Sequence, residues 1–387
     1  MLDRADIALE FSDTEALFGG ASGGPKAGPY YDGLTTLSLT YGSVRAAPCA
    51  CQIHVSTQQI RGRGLSDAIG ALDTITGIEA PAQTSLFELW YDQSVAGGAA
   101  DIRVGRQAAD EEFMVSRYAG GLVNASFGWP TLPASDLPAG GPSYPFAMTG
   151  IRLAVHPSDR VGLRFGIYDS NQDGAGFSLR GGALTIAELV LRSDPQAALP
   201  TTIMLGGWYD SNDFADQYRD TEDLSLASPR SNGMPRLHHG DFSFYAMIDQ
   251  ALLRTPTRRI GGFARVMAAP SDRNPVAFFA DAGISVQGPL PGRPDDNFSA
   301  GFGYAWVSRA ALTLAADQAR KAGLAPPDGR AETIFELSYD WQATPRLAVQ
   351  PDVQYLHHPG AGMPDYDVAR AVRDDVLVLG VVTHLAF

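Results

Sequence analysis

The stretch Leu377-Val378-Leu379-Gly380-Val381-Val382-Thr383-His384-Leu385-Ala386-Phe387 decides the reading of the fold. Leu377, Leu379, Val381, Thr383, Leu385 and Phe387 fall on one side of a period-two pattern; Val378, Gly380, Val382, His384 and Ala386 fall on the other. Successive side chains of a strand point to opposite faces, so this is a strand with one aliphatic face and one mixed face. The pattern recurs upstream. Phe335, Leu337, Tyr339 and Trp341 alternate with Ile334, Glu336, Ser338 and Asp340; Phe242, Phe244, Ala246 and Ile248 with Ser243, Tyr245, Met247 and Asp249. Val161 to Tyr168 and Ile151 to His156 do the same, and weaker versions run through residues 36–41, 85–93, 101–106, 202–209, 261–267, 276–286 and 298–307.

Clusters rich in Gly, Pro, Asp and Asn separate these stretches, as at Ser170-Asn171-Gln172-Asp173-Gly174 and from Pro289 to Asp296. Only residues 185–192 and 310–322 compete as helices. No low-complexity linker interrupts the chain, so residues 1–387 read as a single domain. Alternation alone suits both a soluble sandwich and a membrane barrel. Aromatics near strand ends (Tyr41, Tyr91, Tyr168, Tyr209, Tyr304, Trp306, Tyr339, Trp341, Tyr355) favour the barrel, which needs girdles at both interfaces.

Composition narrows the function. Of 387 residues, 45% are hydrophobic and 19% charged, and 42 Gly and 26 Pro indicate many turns. The net charge of −14 argues against a nucleic-acid binder, which shows a basic patch or stripe. Lys26 and Lys321 are the only lysines, so positive charge is almost all guanidinium, the better partner for carboxylates and flat rings. Cys49 and Cys51, two apart, are expected as small apolar fillers rather than a disulfide or metal knuckle. No run of eighteen apolar residues marks a membrane helix, which says nothing about barrel strands. The opening Met1-Leu2-Asp3-Arg4 carries no secretory signal, so the chain is expected to be cytoplasmic or a mature form with an added Met.

Several motifs occur in a characteristic order. They are Arg61-Gly62-Arg63-Gly64-Leu65-Ser66, Glu88-Leu89-Trp90-Tyr91-Asp92-Gln93, residues 101–107, Ala109-Asp110-Glu111-Glu112-Phe113, Leu122-Val123-Asn124, Phe127-Gly128-Trp129-Pro130 and Tyr144-Pro145. Residues 288–296, 336–339, 349–355, 358–360 and the terminal Phe387 complete the series. In these the chain resembles the carbohydrate-selective porins (OprB-type) of Gram-negative outer membranes, over roughly residues 30–387. It departs from them at Ala46-Ala47-Pro48-Cys49-Ala50-Cys51 and in its lack of lysine. The resemblance implies a sixteen-stranded antiparallel barrel in the outer membrane that passes sugars by passive diffusion, as a monomer or homotrimer. Its partners would be sugars and lipid, with no nucleic acid, and it implies no cofactor, metal or catalytic activity. At about 24 residues per strand and connection, the length fits. The turn from Leu290 to Asp296 would be periplasmic.

A sugar channel needs groups that donate and accept hydrogen bonds, and flat aromatics for C–H faces, while binding weakly enough to release. If Phe87, Leu89 and Tyr91 face lipid, then Glu88, Trp90 and Asp92 face the lumen. Ile102 and Val104 outward place Arg103 inward. Trp90 could instead be an interface anchor. Residues 107–145 read as an inward-folded constriction loop carrying Asp110, Phe113, Asn124, Trp129 and Tyr144, some of which would only pack the loop to the wall. Arg106 borders that loop, out of phase with the lumen if its strand stays regular; Arg61 and Arg63 are further constriction candidates or a solvated turn.

Adjacent histidines (His238-His239, His357-His358) point to opposite faces of a strand and suit no single metal. Asp295-Asp296 and Asp110-Glu111-Glu112 lack EF-hand spacing. Three other functions stay open: a general or polyol or aromatic-acid porin on the same barrel, a barrel enzyme, and a soluble all-β sugar-binding protein. The absence of a Gly-x-Ser-x-Gly elbow speaks against the most familiar hydrolase.

Overall fold

A computed structural model describes residues 7–22, 29–43, 50–170, 181–194, 196–363 and 374–387. The first eight strands are β1 (Ile7–Ser22), β2 (Tyr30–Ser43), β3 (Cys51–Arg63), β4 (Gln83–Val95), β5 (Ala100–Gln107), β6 (Met148–Ser158), β7 (Val161–Asp169) and β8 (Ala183–Arg192). The second eight are β9 (Thr201–Asp220), β10 (Pro235–Arg254), β11 (Arg259–Ala268), β12 (Val276–Gln287), β13 (Asn297–Val307), β14 (Ala331–Thr344), β15 (Leu347–His357) and β16 (Val376–Ala386). Each pairs antiparallel with its sequence neighbour, and β1 pairs with β16, so the sheet closes. Closure leaves no unpaired edge, which is what allows a sheet to stand in hydrocarbon.

The alternation sorts as expected. Leu379, Val381, Phe335, Leu337, Phe242, Phe244, Leu163 and Phe165 are exposed on the outer wall. Tyr41, Tyr91, Trp306, Trp341 and Tyr355 stand exposed among them near strand ends, and exposed Tyr209 lies midway along the long strand β9. Tyr168, expected in that girdle, is instead buried in the lumen, where it lies against Gly150 and Gly166. Residues 185–192, a helix candidate, belong to β8. Its inward row, Leu184, Ile186, Glu188 and Val190, is apolar but for one carboxylate, and its outward row carries Ala187, Leu189 and Leu191, so period two leaves little contrast there. The other helix candidate forms as α3 (Arg309–Ala322), capped by the Ser308 hydroxyl, which accepts from the Ala311 amide, and closed by left-handed Gly323.

The turns joining β12 to β13 and β14 to β15 lie at the barrel end where β1 begins and β16 ends. Short turns mark the periplasmic end of such barrels. At the other end two connections fold into the lumen. L2 (residues 64–82) carries the short helix α1 (Ser66–Ile69) and packs Leu65, Ile69 and Ile75 against Ala16, Phe18, Val378 and Val382 of the inner wall. L3 (residues 108–147) carries α2 (Thr131–Asp136) and packs Phe113, Met114, Trp129, Leu132 and Leu137 on the apolar inner wall of β8–β12. Gly380 illustrates the fit: Phe18 lies over it from the neighbouring strand, in the space any side chain there would fill. Cys51 is a free cysteine at the start of β3; Cys49 lies outside the described residues.

Candidate functional site

The site begins with an irregularity in β4. Ser56 of β3 faces Glu88, but Thr57 faces Leu86, so one extra residue is inserted in β4. The bulge turns both Phe87 and Glu88 inward. Phe87 was expected to face lipid; it is 6% exposed and packs with Ala108, Ala147 and Tyr144 at the root of L3. Beyond the bulge, Leu89 and Tyr91 face out and Trp90 and Asp92 face in, as expected.

Trp90 stands in the lumen between two neighbours. The His54 ring stacks on it from β3 at 4.8 Å, and the Arg103 guanidinium lies 3.9 Å from its centroid from β5. Opposite Trp90, Gly105 has φ +139° and no side chain to obstruct the indole. The indole is therefore neither an interface anchor nor a bare platform for a sugar ring. It is a strut that holds His54 and Arg103 in place.

Arg103 starts a ladder of cations across three neighbouring strands. It donates to Asp92 (3.1 Å) and pairs with Glu112 of L3 (2.9 Å). Arg152 on β6 pairs with the same two carboxylates (2.9 and 2.8 Å) and with Asp101. Arg164 on β7 bonds Glu188 (2.7 Å) and the Glu112 carbonyl (2.7 Å). Every guanidinium is matched by a carboxylate, so the ladder presents donors and acceptors to the lumen without a net positive field. Arg152, Arg164, Glu112 and Glu188 were not among the expected site residues. Arg152 and Arg164 share the inward phase that identified Arg103, so the same alternation could have found them.

The inner wall grips L3 through the loop's backbone. Glu88 accepts from the Ala108 amide (2.8 Å), Glu188 from Met114 (3.0 Å), Asp249 from Arg117 (2.8 Å), and Glu336 from Val123 and Asn124. Arg265 holds the opposite sense of dipole. Its buried guanidinium pairs with Asp281 and donates to the carbonyls of Met114, Ser126, Phe127 and Gly128. Glu332 does the same for L2, accepting from Leu72 and Asp73 (2.8 and 2.7 Å).

The expected loop residues serve this frame. Phe113 and Trp129 are buried, and the Trp129 indole donates to the Gly140 carbonyl (2.8 Å). Asn124 is 1% exposed; it bonds Gln354 (3.1 Å) and caps the turn at Ser126. The Tyr144 hydroxyl ties L3 to the Ile78 carbonyl of L2 (2.7 Å). Asp110 accepts from the Tyr144 amide (2.9 Å).

Three expected arginines lie elsewhere. Arg61 shares the outward phase of exposed Ile53 and bonds Asp13, Glu15 and Thr35 on the outer wall. Arg63, exposed, ends β3 opposite Tyr31. Arg106 pairs with outward Leu89, and its Nε donates to the Phe87 carbonyl (3.0 Å), which braces the bulge. None reaches the Arg103 ladder because the strands stay regular at these positions and phase decides the side. His238 and His239 bond different partners, Asp216 and Asp213.

Glu111 is exposed beside the ladder, and Glu10 and Ser12 are exposed on the inward phase of β1. Burial pushes Asp110 up to about 7; desolvation in the lumen, aided by the Glu88 charge, pushes Glu111 up to about 7. Both carboxyls are therefore mostly charged at pH 8 and mostly protonated at pH 6. The preference for potassium over chloride, read as reversal potential in a salt gradient, should fall from pH 8 to pH 6. Glu111→Gln should remove most of that difference. The linkage has a definite sign: a carboxyl raised from ~4 favours the folded chain when protonated, so stability falls as pH rises from ~4 through about 7.

Comparison with known proteins agrees with this architecture. The model of the carbohydrate-selective porin, OprB family, matches residues 37–387. Porin B of Pseudomonas aeruginosa is 23% identical over 373 residues, covering 87% of this chain and 77% of that protein. The high-pH structure of Pseudomonas putida OprB superposes with a TM-score of 0.85 at 20% identity, over 100% of this chain and 95% of that one. OmpT of Vibrio cholerae, in its trimer form, gives 0.56 at 10% identity over 99% of both chains. A closed barrel of sixteen strands with lipid-facing girdles, matched to the family model over nearly its whole length, belongs to the OprB family of carbohydrate-selective porins of the Gram-negative outer membrane.

Proposed function

We propose that neutral mono- and disaccharides are selected where L3 meets the Arg103–Arg152–Arg164 ladder, with Glu112 and Glu111 as acceptors beside it. The observation that carries this reading is the full pairing of the ladder. A guanidinium already held by carboxylates keeps hydroxyl-directed N–H groups but attracts no anion strongly. The matched charges suit a solute rich in hydroxyls and without charge. They disfavour the aromatic-acid reading, which needs unpaired cations. The family and fold describe a channel rather than an enzyme.

Planar-bilayer conductance titrated with glucose and then a disaccharide tests the reading. Stepwise channels blocked by millimolar sugar are the expected result. Open channels indifferent to both sugars would move the protein to the general-porin reading. Chloride permeating better than potassium would contradict the electrostatic argument directly.

A further inference from the structure

The guanidiniums of the ladder are matched; three at the periplasmic end of the lumen are not. Arg254 closes β10 and Arg259 opens β11, and the register sets them directly opposite each other. Like charges at directly opposed positions of neighbouring strands repel. Arg259 shares the inward phase of buried Gly261, so this pair belongs to the lumen side. Exposed Arg117 of L3 is the third. Among the described residues none of the three guanidiniums forms an ion pair, and Arg259 has only the Gln287 side-chain oxygen, at 3.5 Å. Asp249 is taken up by the Ser116 hydroxyl (2.6 Å) and the Arg117 amide (2.8 Å).

The three arginines line one cavity of about 360 Å³ between L3 and the strand ends of β10 to β14. That size falls within the ~300–1,000 Å³ usual for small-molecule sites. An aromatic ring forms part of its lining: Tyr118 lies over Gly261, in the space that any side chain there would fill. Three strands away from Arg259 the lining turns to acceptors. Asn297 of β13 faces Asp340 of β14 in the register, and one Asp340 carboxylate oxygen is buried with no hydrogen-bond donor among the described residues. The wall holds L3 on both sides of Tyr118, through Asp249 before it and through the Gln350 side chain, which donates to the Gly121 carbonyl (3.0 Å), after it. The loop side of the cavity is therefore fixed by the strands.

A neutral solute would leave the opposed guanidiniums uncompensated. We propose that this cavity is a second solute site, at the periplasmic mouth, for a polyhydroxylated anion: a sugar carboxylate or a sugar phosphate. Arg254 and Arg259 take the acid group, because guanidiniums match carboxylate and phosphate oxygens in pairs. Arg117 meets it from the loop. A solute hydroxyl donates to the open Asp340 oxygen, and the Tyr118 ring takes a C–H face. Inorganic phosphate carries the charge but has no C–H face for the ring, and Asp340 and exposed Asp295 repel a bare anion. The site lies apart from the Arg103–Arg152–Arg164 ladder and is independent of which neutral solute that ladder selects.

Isothermal titration of the purified barrel in detergent tests it, with glucuronate, glucosyl phosphate and inorganic phosphate as probes. Both sugar anions should bind. Arg254→Gln with Arg259→Gln should weaken both by roughly 10-fold or more, because charge-assisted bonds are lost. Block of conductance by glucose should be unchanged in that variant. Arg103→Ala should do the reverse, weakening glucose block and sparing the binding of the two sugar anions. Heat-modifiable gel mobility reports whether the double variant forms a barrel; since it removes a repulsive pair, it should melt no lower than the native chain in the absence of anion. If it fails to fold, Arg117→Gln on the loop should show the same loss of binding. Sugar anions that do not bind, an affinity unchanged in the arginine variants, inorganic phosphate binding as tightly as glucosyl phosphate, or loss of anion binding in Arg103→Ala would each overturn the proposal. Sugar-anion binding in a channel indifferent to glucose would sink the ladder reading and still support this one.

Discussion

Arg265→Met is expected to release L3 and abolish solute selection while leaving the barrel closed. Arg265 is fully buried and holds four loop carbonyls besides Asp281. Its removal leaves the Asp281 carboxylate uncompensated in the wall, a loss of about 3–5 kcal/mol for a broken buried pair. The strands keep their ladder of backbone bonds, so heat-modifiable mobility should persist at a lowered melting temperature. Single-channel conductance should rise and become noisy, and sugar block should disappear. Arg265→Met with Asp281→Leu removes the stranded charge and should recover much of the thermal stability but not the sugar block, because the carbonyl anchors stay lost. A single variant with native conductance and native block would show that L3 does not depend on this post.

Arg103→Ala has the second-largest expected effect, and it acts on affinity. The side chain supplies charge-assisted donors where wall and loop meet, between Asp92 and Glu112, each worth about 1.5–3 kcal/mol. The half-blocking glucose concentration should rise by roughly 10-fold or more. Asp92 and Glu112 lose one of their two guanidinium partners, so potassium preference should increase together with the loss of block. Arg103→Lys restores the charge but not the fork, and should recover ion selectivity more fully than sugar affinity. Unchanged block in the alanine variant would remove Arg103 from the site.

Legibility in the sequence followed contrast between faces. Strands such as β14 and β16, apolar outside and mixed inside, could be read from period two alone. β8 could not, because L3 lies on its inner side and makes that face apolar too, apart from Glu188. β1 and the upper part of β3 failed for the opposite reason: Asp13, Glu15, Gln59 and Arg61 interrupt the outward apolar row. For the site, phase found Glu88, Trp90 and Arg103, but a one-residue bulge moved Phe87 to the other side. The cover on Trp90 could not be foreseen, since His54 and Arg103 come to it from two other strands. The burial of Phe113, Asn124 and Trp129 depends on where the loop runs, which local pattern does not encode.

The way the wall holds L3 bears on how such channels diversify. Glu88, Glu188, Asp249, Glu336 and Arg265 grip amides and carbonyls that every residue possesses. The loop's path is therefore written in the strands, whereas Glu111, Val115 and Arg117 stand exposed on the loop. Exchanging those side chains should alter recognition without asking the barrel to refold. The strands act as a reusable socket and the loop as an interchangeable insert. Grafting the exposed positions of one channel's loop into another's socket becomes a practical route to new solute preferences.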